Sequence, residues 1–109
     1  MKQQSLFIRF MGDSPVVRVL DYLLTERDLD FCISDLAAQA GVGRTTLYRI
    51  WDHLLKNHIL LPTRVIGKAR LYTLNQRNPA VQKLIELDDL LLKQDLRKRA
   101  SKIKVAVHV

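Results

Sequence analysis

Hydrophobic spacing changes several times along this chain, and each change marks an element. Residues 6–11, "LFIRFM", are dense in β-forming side chains and are stopped by Gly12 and Asp13. That run predicts a short strand. From Ser14 onward Val16, Leu20, Leu23 and Leu24 recur near one helical face. The pattern predicts a core-facing helix over 15–26, with Ser14 as its N-cap and Pro15 at the first helical position, where a missing N–H does no harm. Residues 31–33 leave room for a very short strand only.

Leu36, Ala37 and Ala40 mark a short helix over 35–40 with Ser34 as its cap. "AGVG" breaks the pattern at 40–43. Gly41 suits the left-handed conformation that ends a helix, Val42 plugs the core, and Gly43 takes the cap position of the next helix. That helix, 44–57, buries Leu47, Ile50, Leu54 and Trp51. Two short helices joined by a tight turn form a helix-turn-helix layout. Residues 59–65 and 69–74 are β-rich runs joined around Ile66, Gly67 and Lys68, which predicts a hairpin. Pro62 within it cannot donate to a ladder. Asn78 caps a final helix with Pro79 at its first position. Its apolar band (Val81, Leu84, Ile85, Leu87, Leu90, Leu91, Leu92 and Leu96) is wider than one face of a small domain needs. The tail alternates Ile103, Val105, Val107 and Val109 with Lys102, Lys104, Ala106 and His108. Period two predicts a half-buried strand over 101–109.

Composition then narrows the function. The 109 residues match one domain, and 48% hydrophobic with 27% charged residues is globular rather than disordered. Eighteen Lys and Arg against eleven Asp and Glu leave a net charge of +7. Such an excess favours a polyanionic partner, nucleic acid before an anionic membrane. No apolar run approaches the ~20 residues that span a bilayer, and the N-terminal apolar stretch is broken by Arg9. A soluble, cytoplasmic protein without a membrane partner is the expectation. Cys32 is the only cysteine, so it closes no intrachain disulfide and reads as a small buried side chain. His53, His58 and His108 form no metal-ligand spacing with it. The glycines at 12, 41, 43 and 67 build no phosphate-cradling loop. Neither an enzyme nor a bound metal or cofactor is expected.

The element order and the stretch "DLAAQAGVGRTTLYRIWDHLLKNHIL" resemble a winged helix-turn-helix transcription regulator, with "GKARLYTLN" similar to the return strand of the wing. The resemblance covers residues 14–92 and is closest to the ArsR-like and MarR-like groups, especially compact archaeal members. Gly43 departs from the usual Ser or Thr cap, a change worth only a few tenths of a kcal/mol. His58, after Asn57, stands where glycine usually ends the recognition helix, and both residues tolerate left-handed geometry. The expected class is α+β, mainly α. Its parts are an N-terminal strand in 1–13, a winged DNA-binding domain over 14–77, a dimerisation helix over 78–100 and a C-terminal strand over 101–109.

In this motif the second helix enters the major groove of double-stranded DNA. Burying Leu47, Ile50 and Leu54 turns Thr45, Tyr48 and Arg49 outward, with Arg44 at the entry and Thr46 beside it. Arg49 suits a bidentate pair to guanine, the threonines suit a thymine methyl or a phosphate, and Tyr48 reaches a backbone oxygen. Arg64, Lys68 and Arg70 gather on the wing within a stretch, 53–85, that contains no Asp or Glu. That suits a phosphate backbone; a guarded edge strand is the plainer reading of the same charges. Leu84, Leu87 and Leu91 form one stripe of the last helix. Together with Ile103, Val105 and Val107, whose strand is expected to pair with 6–11 within a subunit or across the two-fold axis, they are expected to join two copies into a homodimer. Competing readings are a protein-docking module of a transcription or replication complex, a non-specific DNA-architectural or partition protein, and an RNA binder.

Overall fold

A capping serine opens each of the first two helices. In the computed structural model, which describes residues 4–108 and side chains through Ser101, Ser5 Oγ accepts from the Ile8 N–H at 3.1 Å and Ser14 Oγ from the Val17 N–H at 3.2 Å. The elements run α1 (Leu6–Met11), α2 (Pro15–Thr25), β1 (Asp30–Phe31), α3 (Ile33–Ala40), α4 (Arg44–Lys56), β2 (Leu60–Ile66), β3 (Ala69–Leu74) and α5 (Pro79–His108).

Both terminal strands expected from the sequence are helical instead. Residues 6–11 form α1, ended by Gly12 at φ 93°. Six residues cannot hold a helix alone, so packing selects it. Phe7 is 1% exposed, and α1 packs on α2 and α5. At the other end α5 continues unbroken through residues 101–108. Extending an existing helix adds a hydrogen bond per residue without a new nucleation cost, whereas the expected strand would need a partner, and 6–11 is not one. The pairing of the two termini is therefore ruled out. Residues 1–3 and 109 lie outside the described residues, as do the side chains of Ile103, Val105 and Val107.

Smaller shifts have local causes. Val16 is 47% exposed, while Val17, Val19, Leu23 and Leu24 are buried. The core face of α2 is rotated from the one the spacing implied. Helix α3 starts at Ile33 with Cys32 at its N-cap, so Ser34 falls in the first turn and does not cap it. Cys32 is half-buried rather than enclosed. Gly41 ends α3 in left-handed geometry (φ 69°), and Val42 is buried as a plug.

The three strands order β1-β3-β2, antiparallel throughout. Edge strand β2 carries Pro62, where a residue without an N–H is tolerated. Its register slips between Pro62 and Val65, a bulge at Thr63–Arg64. One core joins the helices and the sheet through Leu23, Leu36, Leu47, Leu54, Leu60, Leu74 and Val81. Burying each leucine contributes about 1.5–3 kcal/mol. His58 leaves α4 at φ 55°. The buried Asn75 then ties this turn to the sheet: its Nδ2 donates to the His58 carbonyl at 2.8 Å, and its Oδ1 accepts from the Arg77 N–H at 3.2 Å. Asn78 Oδ1 accepts from the Ala80 N–H at 2.9 Å and so caps α5.

Candidate nucleic-acid interface

Helix α4 begins at an exposed end. Gly43 occupies its N-cap without a side-chain bond, which leaves the first N–H groups pointing outward. With Leu47, Ile50, Trp51 and Leu54 buried, Arg44, Thr45, Tyr48 and Arg49 are exposed and Thr46 is half-buried. The hydrophobic period of the helix implies the same division. Arg44 is partly committed, since its Nη2 donates to Ser34 Oγ at 2.7 Å. That bond spans the two helices of the motif and steadies the entry to α4. Arg49 has no hydrogen-bond or ion-pair partner among the described residues, although Asp52 lies one turn on. Its guanidinium is free for an outside acceptor.

An arginine outside the site expected from the sequence holds the turn. Arg18 Nε and Nη2 donate to the two carboxylate oxygens of Asp13 at 2.7 and 2.9 Å, and its Nη1 reaches the Gly41 carbonyl at 3.1 Å. The guanidinium keeps the Asp13 carboxyl below the usual range, chiefly by direct hydrogen bonding. One side chain thus links the start of α2 to the turn between α3 and α4. The Asp13–Arg18 spacing across a helix start is visible in the sequence; the reach to Gly41, 23 residues on, is not.

On the wing the three cations separate. Lys68 and Arg70 are exposed and unpaired among the described residues, at a turn whose Gly67 has φ 60°. Arg64 stays exposed but reaches along the sheet to Asp30. Its Nε and Nη2 donate to Asp30 at 2.9 and 3.2 Å, and Thr63 Oγ1 donates to the same carboxylate at 2.9 Å. These bonds hold the Asp30 carboxyl below its ordinary range, the Arg64 hydrogen bond acting most strongly. Sequence reasoning missed Asp30, because 34 positions separate it from Arg64 and no local pattern joins them.

The leucine band of α5 also divides. Leu84, Leu87 and Leu91 lie half-buried against this chain's own core, whereas Leu90, Leu92 and Leu96 are exposed. Phe10 and Met11 of α1 are exposed as well, and Phe10 shares a surface hollow with Leu91. Among the described residues no cluster of His, Cys, Asp or Glu could hold a metal ion, and no helix is long and apolar enough to cross a membrane.

No protein-family model matches the sequence, and no curated protein does. Solved structures do match. The antimony-specific transcriptional repressor AntR is 22% identical, with TM-score 0.57 over 84% of this chain and 78% of its own. MepR, a transcription regulator of the Staphylococcus aureus multidrug efflux pump MepA, is 11% identical with TM-score 0.60 over 93% and 78%. A MarR-family regulator from Silicibacter pomeroyi is 18% identical with TM-score 0.57 over 84% and 60%. At these identities the likeness is one of fold: this chain has the winged helix-turn-helix architecture of transcription regulators.

Proposed function

We propose that this chain is a homodimeric, sequence-specific DNA-binding transcription regulator, with α4 in the major groove and the β2–β3 wing on the phosphate backbone or minor groove. One observation carries the reading. The outward face of α4 presents Thr45, Tyr48 and an unpaired Arg49, and the wing adds Lys68 and Arg70 within a stretch free of acidic residues. Unpaired cations beside an open helix N-terminus form a surface for a polyanion. Arg49 reads a base edge; Arg44, Thr45, Thr46 and Tyr48 place the helix against phosphates and methyl groups. The exposed Leu92 and Leu96, with Phe10, Met11 and the half-exposed edges of Leu84, Leu87 and Leu91, join two copies. A two-fold dimer presents its recognition helices to half-sites about 34–36 Å apart.

The test is fluorescence anisotropy on a duplex selected from a random pool and on its scrambled counterpart. Arg49→Ala loses roughly 1–3 kcal/mol on the selected duplex and much less on the scrambled one. Equal losses on both reassign Arg49 to a phosphate. Tighter binding to RNA than to any duplex DNA, or no binding to either, rejects the proposal.

A further inference from the structure

Val65 and Ile66 end β2 beside the Gly67–Lys68 turn, with 59% and 56% of their surfaces exposed. Their cross-strand partners are Arg70 and Ala69, neither of which offers an apolar surface large enough to cover them. A β-branched residue suits a strand, but a hairpin tip in water is usually polar, and an exposed edge is normally guarded by charge. Here the charge stands beside the apolar pair, on Lys68 and Arg70, instead of replacing it.

The base of the same hairpin is braced. Thr63 and Arg64 sit at the bulge and both donate to Asp30, which lies across β3 on the far strand. A bulge bends its strand and re-aims the residues beyond it. The Asp30 bonds tie that bend to β1.

We propose that the wing tip is a wedge. Ile66 enters the minor groove of the duplex held by α4, partly unstacks one base step and bends the DNA, while Lys68 and Arg70 engage the flanking phosphates. The inference rests on the DNA-binding reading and adds to it a mode of recognition. A minor groove about 6 Å wide admits a side chain but not the hairpin itself. Isoleucine is among the side chains that act as such wedges. Sequence preference then arises at a position with no hydrogen bond, because pyrimidine–purine steps unstack more readily than others.

The full chain is tested on a selected duplex of about 30 base pairs labelled at both ends, with energy transfer reporting the bend and anisotropy the affinity. Wild-type protein brings the ends together by a bend of about 20–90°. At saturating protein Ile66→Ser binds but leaves the duplex straight, and Ile66→Leu restores the bend. A mismatch at the wedged step tightens wild-type binding about tenfold and leaves Ile66→Ser unchanged, since the unstacking is then already done. If the wild-type complex is straight, or Ile66→Ser bends DNA as wild type does, the wedge is wrong and the DNA-binding reading stands. If wild-type protein binds no duplex, both fall together.

Discussion

Trp51 on α4 and Tyr72 on β3 meet edge to face, with ring centroids 5.0 Å apart and planes at 86°. Trp51 is buried, and its indole N–H finds no hydrogen-bond acceptor among the described residues. Tyr72 is in turn the register partner of Phe31 on β1 and Pro62 on β2. The pair therefore couples the outward-facing helix to the middle strand of the sheet. Such aromatic pairs contribute ~0.5–1.5 kcal/mol beyond the area they bury.

Trp51→Ala is expected to cost about 3–5 kcal/mol in urea denaturation, as large core deletions do. Trp51→Phe keeps an aromatic edge while removing the orphaned donor, so its loss is much smaller. Equal losses for the two variants would show that ring contact with Tyr72 contributes little.

The free and paired wing cations should differ in the salt dependence of DNA binding. Lys68→Ala and Arg70→Ala each flatten the slope of log affinity against log salt by about one charge. Arg64→Ala changes it less, because Asp30 already matches that charge. Slopes identical to wild type for Lys68→Ala and Arg70→Ala would take the wing out of the interface.

Self-association is read by sedimentation at micromolar concentration. In the proposed dimer Leu96→Glu yields a folded monomer, since Leu96 is 54% exposed, and its melting temperature falls only by what association contributed. Leu91→Glu also destabilises the fold, because Leu91 packs on the core. A Leu96→Glu variant that sediments with the wild-type dimer places the interface elsewhere. A monomeric wild type leaves the exposed leucines as a docking surface for another protein.

Two carboxyls set opposite pH trends. Asp30 is lowered in the folded protein, so its stabilisation is present above the ordinary carboxylate value near 4 and is lost as pH falls through its depressed folded value. Asp88 is raised, chiefly by burial and against the opposing pull of Arg27. The native state then binds the proton more tightly than the unfolded chain. Stability from Asp88 declines as pH rises from about 4 through the raised folded value. Urea midpoints across this range test both signs. Asp30→Asn removes part of the loss in acid, and Asp88→Asn removes part of the decline on the way to neutrality. Parallel profiles for either variant and wild type refute the corresponding assignment.

The middle of the chain was legible from its residues alone. Ser14, Pro15, Gly41, Gly43 and Asn78 act through bonds and backbone angles within a few positions of themselves, and Leu47, Ile50 and Leu54 repeat at the period of the helix they occupy. Those features are local, so spacing alone marked α4, its outward face and the hairpin. Partner choice was not local. "LFIRFM" has the composition of a strand, but Phe7 found a place against α2 and α5 and no strand edge lay beside it. The alternating tail met a helix already formed, and adding residues to α5 required no new partner. Arg64 looked like its neighbours Lys68 and Arg70 until the sheet order brought Asp30 across β3 to meet it. Hydrophobic period and capping chemistry report what a segment can form. Which face is covered, and which charge is already matched, depends on contacts between residues far apart in the chain, and these exist only once the chain has folded.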